Sequence, residues 1–163
     1  MGVINMIDIP INLFPNLGSL KELPVVWWGL DVTNPADDDF PVGHVTFEFF
    51  GNKHPGNIPE ELRNSMKEYS IRVIGFGEYI QNGILLNQGL LVELPEELQP
   101  FYKNEAMPHI TVYCSTREDE NGKRLTCNKN TRYCSWEVYP PEKQYTLVGR
   151  IYGALWDPTW QMP

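Results

Sequence analysis

Long apolar runs are absent from this chain of 163 residues. Crossing a bilayer takes roughly 20 consecutive apolar residues, no stretch approaches that, and no membrane partner is expected. Met1 to Ile11 lacks the basic start and long apolar stretch of a secretory signal, which points to the cytoplasm. Cysteine is scarce: Cys114, Cys127 and Cys134 are an odd count without the CxxC pairing of a zinc site. Reduced, partly buried thiols are expected, in preference to a Cys127–Cys134 bridge, and no metal or cofactor is implied. Basic residues are also short, 13 against 21 acidic, for a net charge of −8. A protein that grips long nucleic acid gains affinity by neutralising successive phosphates, and this one would repel a polyanion unless its cations cluster. A small phosphorylated ligand needs only one or two.

What is present is β-prone sequence with regular punctuation, of a length that suits one domain over 1–163. Val25 to Val32, His44 to Phe50 and Ile71 to Ile80 read as strands, with a loop at Asp37-Asp38-Asp39 and a turn at Asn82-Gly83. Ile84 to Leu86 predicts a short strand. Gly89 to Leu94, His109 to Cys114, Ser135 to Tyr139 and Tyr145 to Trp156 read as further strands. Pro59-Glu60-Glu61-Leu62 and Pro95-Glu96-Glu97-Leu98 share a helix-opening pattern, proline and acids in the first turn. The first is expected to run to about Tyr69. Each half of the chain thus has a lead strand, a strand carrying His-x-Thr, and a glycine-bearing strand, an order that suggests a degenerate internal duplication.

The chain has three histidines, and two of them stand in matching tripeptides, His44-Val45-Thr46 and His109-Ile110-Thr111. Side chains at i and i+2 of a strand share a face. His44 and Thr46 therefore point away from Val45 and Phe47, and His109 and Thr111 away from Ile110 and Val112. Two imidazoles with unperturbed pKa near neutrality supply an acid and a base, and two hydroxyls supply donors for phosphoryl oxygens.

Gly43-His44-Val45-Thr46-Phe47-Glu48-Phe49 and Pro108-His109-Ile110-Thr111-Val112 resemble the paired HxT motifs of the 2H (LigT-like) phosphoesterase superfamily. Leu147-Val148-Gly149 resembles the segment closing the second lobe in relatives close to the phosphodiesterase domain of fungal tRNA ligases. In order of elements the resemblance spans Val25 to Leu155, and only the two motifs are specific. It implies an α+β bilobal fold, two pseudo-symmetric lobes (about 21–88 and 89–158) with antiparallel sheets facing a central cleft and helices outside. It also implies metal-independent phosphodiester cleavage, with His44 and His109 as the acid–base pair and Thr46 and Thr111 holding the phosphate. Members include RNA 2′,3′-cyclic phosphodiesterases, 2′-5′ oligoadenylate phosphodiesterases and phage proteins that destroy cyclic oligonucleotide alarm signals.

Around that core, Tyr113 and Glu48 stand two residues beyond the threonines and are expected on the same face, Tyr113 to stack on a base and Glu48 to orient His44 or read a base edge. Trp27 and Trp28 point to opposite faces, with Trp28 a candidate for substrate binding. Lys53, His54, Arg72 and Arg150 are candidate phosphate contacts, and Trp156 and Trp160 are candidates either to form a lid or to pin the C-terminus. The acidic composition and the many aromatics favour small cyclic nucleotides or cyclic oligonucleotides as substrates, a monomer is expected, and the resemblance to the superfamily implies an anti-defence (anti-CBASS-like) role. RNA end processing and a non-catalytic nucleotide sponge are the alternatives.

Overall fold

The computed structural model describes residues 23–157. Seven antiparallel strands form one sheet: β1 (Val25–Asn34), β2 (Phe40–Phe49), β3 (Tyr69–Gln81), β4 (Ile84–Glu93), β5 (His109–Cys114), β6 (Ser135–Val138) and β7 (Tyr145–Leu155). Their order is β2-β1-β7-β3-β4-β5, with β6 beside β3. The 13 residues of β3 serve two partners in succession. Tyr69 to Val73 pair with β7, and Gly75 to Glu78 pair with β6.

Asn82-Gly83 makes the β3–β4 hairpin, with φ of 53° and 77°, the positive pair that a two-residue turn between twisted strands requires. Ile84 to Leu86 and Gly89 to Leu94, expected as two strands, are one continuous β4.

The expected α+β, two-lobe architecture is not what the chain forms. Among the described residues one α-helix occurs, α1 (Glu60–Arg63), besides short 3-10 turns. An isolated turn of helix is marginal without a packed face. Leu62 is buried, whereas Met66, one turn on, is 51% exposed, so no apolar stripe extends α1 to Tyr69. The second helix start fails differently. Pro100 lacks an N–H and disfavours helical geometry at the residue before it, and only a 3-10 turn, Gln99–Phe101, forms. Among the described residues no helix therefore covers the sheet.

The halves also interleave. β7, from the second half, lies between β1 and β3 of the first, so 21–88 and 89–158 do not form separate lobes. The repeated element order reads as a palindrome across the sheet. From either end the order is HxT strand, lead strand, glycine-bearing strand, with β3 and β7 exchanged between the halves.

One apolar core holds the sheet together. Trp28, Leu30, Val45, Phe47, Ile71, Val73, Ile110, Leu147 and Ile151 are at most 1% exposed and belong to one cluster. Each such side chain contributes about 1.5–3 kcal/mol by leaving water. Because the terminal strands β2 and β5 both feed this cluster, the sheet rolls until they approach each other. A Cβ on Gly43 of β2 would lie 2.6 Å from Ile110 Cγ2. The segment leading to β5 is fastened to β2, Lys103 N donating to Phe47 O at 3.1 Å.

Candidate functional site

Alternation and rolling together position the two His/Thr pairs. Val45 and Ile110 enter the shared core, so His44, Thr46, His109 and Thr111 face away from it on the two strands that the roll brings together.

His44 is opposite Asp31 of β1 in the strand register. Its Nε2 lies 3.6 Å from Asp31 Oδ1, a carboxylate that gives a protonated ring an ion-pair partner. Tyr152 of β7 stacks on the imidazole, centroids 4.6 Å apart and planes 13° from parallel. Trp27 closes the group at 5.2 Å from both rings. His44 and Tyr152 stand on opposite sides of β1 and meet across it, beside Gly29, which contributes no side chain. Gly29 is obligatory on its own account: a Cβ there would lie 1.9 Å from the Val45 carbonyl oxygen.

His109 has a drier setting. Its Nδ1 is 2.7 Å from the Met107 carbonyl oxygen. A carbonyl only accepts, so this nitrogen carries the proton and neutral His109 keeps its lone pair on Nε2. The ring lies 5.9 Å from that of Trp136. Burial lowers the His109 pKa below the ordinary value, the Met107 hydrogen bond opposes this, and the Arg132 charge adds to the lowering.

Thr46 and Thr111 differ. Among the described residues the Thr46 hydroxyl has no partner, while its carbonyl accepts from Asn104 Nδ2 at 3.4 Å. The Thr111 hydroxyl donates to Thr131 Oγ1 at 2.8 Å. Thr131 is fully buried and also accepts from Asn87 Nδ2 at 3.1 Å. Asn87 in turn accepts from Thr126 Oγ1 at 2.5 Å and donates to the Cys127 carbonyl at 3.1 Å. This buried network latches the 3-10 turn Asn128–Tyr133 onto β4 and β5.

The neighbours expected two residues beyond the threonines are turned away by matching bulges. Gly29 pairs with Thr46 but Trp28 with Glu48. Gly89 pairs with Thr111 but Gln88 with Tyr113. An extra residue in one strand reverses the alternation beyond it, so Glu48 and Tyr113 leave the face of the threonines. Glu48 instead accepts from Trp28 Nε1 at 3.1 Å, and Tyr113 is 41% exposed. Val112, expected behind the sheet, is 43% exposed.

Trp28 is fully buried, and Trp27 is the tryptophan that reaches His44. Arg150 pairs with Glu68, and Arg72 donates to Gln144 at 3.3 Å. Lys53 and His54 are exposed in the turn after β2. Trp156 donates to the Asn52 carbonyl at 3.0 Å, pinning the end of β7 rather than covering the histidines. Trp160 and the Met1 to Ile11 stretch lie outside the described residues.

Asp31, Tyr152, Thr131, Asn87 and Arg132 escaped the sequence reading. Asp31 had a usable signal, an acid alternating with Trp27 and Gly29 along a β run, but its alignment with His44 depends on register. Among the described residues no three His, Cys, Asp or Glu side chains converge as metal ligands. All three cysteines are free thiols, and burial pushes Cys134 up to about 11. No described helix is long and apolar enough to cross a membrane. No family model, curated protein or solved structure matches the chain.

Proposed function

We propose that the chain is a phosphodiesterase acting on small cyclic nucleotides or cyclic oligonucleotides, a member by mechanism of the two-histidine class. The observation that carries this reading is the placement of both HxT motifs on the adjoining terminal strands of one rolled sheet, all four side chains directed away from the core. The imidazoles are not in contact. In this reading the phosphodiester bridges the two, with the acid on one side and the base on the other.

The surroundings of the two rings favour a division of labour. His109, desolvated and bonded through Nδ1 to the Met107 carbonyl, presents its Nε2 lone pair as general base. It takes the proton from the attacking oxygen, of water or a ribose 2′-OH, as that oxygen forms its bond to phosphorus. His44, beside Asp31, is the general acid. It gives its proton to the leaving oxygen as the old P–O bond breaks. The unpartnered Thr46 hydroxyl donates to a phosphoryl oxygen, whereas Thr111, already donating to Thr131, shapes the base side of the site.

The net charge of −8 favours a compact substrate over long RNA. Three free thiols suit a reducing compartment, so we assign the activity to the cytoplasm. Incubation with 2′,3′-cyclic mononucleotides and with 3′-5′ cyclic di- and trinucleotides, followed by product identification, tests the proposal. Turnover is expected for at least one, with His44→Ala and His109→Ala each lowering kcat/KM by about 10²–10⁴. Failure of the folded protein to cleave any of them defeats it.

A further inference from the structure

Arg132 is the cation nearest in kind to what a phosphate at this site requires, and sequence reading passed over it. It belongs to the 3-10 turn Asn128–Tyr133. Its neighbour Thr131 is fully buried and takes the Thr111 hydrogen bond at 2.8 Å, so the turn is held directly against the second HxT motif. The Arg132 Nε is buried and, among the described residues, has no hydrogen-bond partner. Among the described residues the guanidinium has no ion pair either, unlike Arg150 on Glu68 or Lys67 on Glu97. Its charge acts on His109, adding to the pKa lowering that burial causes.

We infer that Arg132 is an oxyanion-binding residue, seated by the Thr131–Thr111 latch to hold the phosphate of a nucleotide against His109. The inference deepens the phosphodiesterase reading and rests on it for the nature of the substrate, though phosphate binding is measurable without turnover. The side chain is only partly buried, so the rest of its guanidinium can be reached, and its planar fork suits the oxygens of a phosphate. The same charge adds to the burial that already disfavours the imidazolium form of His109.

The test measures binding of inorganic phosphate, adenosine 2′-monophosphate and uncharged adenosine to the full chain, by NMR through the His109 ring signals. Wild type is expected to bind both phosphates. Arg132→Gln should weaken them roughly tenfold or more, the scale of one charge-assisted hydrogen bond, and Arg132→Lys should recover part of the loss. The His109 titration midpoint should rise in Arg132→Gln, and in any active protein KM should rise more than kcat falls. Phosphate should also slow phenylglyoxal modification at residue 132 in wild type, a readout independent of how the variants fold. Equal phosphate binding by wild type and Arg132→Gln, binding of adenosine as tight as that of its phosphate, or no protection of residue 132 overturns the inference. Arg132-dependent phosphate binding without turnover leaves it standing while defeating the phosphodiesterase reading. Turnover indifferent to Arg132 does the reverse.

Discussion

At His109 the lowered pKa has consequences for both activity and stability. In the proposed reaction His109 accepts a proton only when neutral, so the acidic limb of kcat/KM is expected below the ordinary histidine value of about 6.5. A histidine whose pKa is lower in the folded than in the unfolded chain resists protonation when folded. As pH falls from about 6.5 through the lowered value, the unfolded state binds more protons and stability declines. His109→Gln should remove that component, as denaturant midpoints compared between about pH 7.5 and 5 will show. An unchanged pH dependence would contradict the assigned setting. Asn87 is the other residue with a clear expectation. Asn87→Ala leaves the buried hydroxyls of Thr126 and Thr131 without a shared partner, at a cost of about 1–3 kcal/mol in urea unfolding. The same change frees the turn carrying Arg132, so phosphate binding should weaken with it.

Among the elements, β1 carries the strictest requirement. It lies between the strand of His44 and the strand of Tyr152, and Gly29 leaves no room for a side chain at the Val45 carbonyl. The obstacle is backbone on a paired strand and cannot swing aside. Gly29→Ala should destabilise the protein by about 3 kcal/mol, the upper part of the overpacking range, and disturb the His44–Tyr152 stack, seen in thermal unfolding and His44 ring shifts. A wild-type melting temperature in this variant would contradict the close approach. Both HxT strands also share a device in the bulge after the threonine. It preserves the outward aim of each pair yet reverses the alternation of the residues beyond, which is why Glu48 and Tyr113 are not beside Thr46 and Thr111.

For the molecule as a whole, the exchange of β3 and β7 matters most. A chain of two independent lobes could be cut between residues 88 and 89 and leave two folding units. Here β1 loses its β7 partner, β3 loses β7 and β6, and the cut severs β4 itself. Each half expressed alone is therefore expected to lack cooperative unfolding by circular dichroism, and mixing the halves to restore it in part. Two separately folded halves would argue for the lobes instead.

The sequence alone determined whatever depends on neighbours along the chain. Alternation located β1, β2, β3, β5, β6 and β7 to within a few residues, Asn82-Gly83 announced its hairpin, and the His-x-Thr spacing aimed both pairs at one face of each strand. Even the duplicated element order was legible, and it persists in the palindromic sheet. Tertiary structure alone decided how strands pair, because a β residue's partner lies tens of positions away and either face of a strand satisfies the same local pattern. That choice set Asp31 opposite His44, bonded Thr111 to Thr131 with Arg132 beside it, and shifted register at the two bulges. It also left the helix starts at Pro59 and Pro95 without a stripe to bury, so propensity that read as helix remained a single turn and a 3-10 bend.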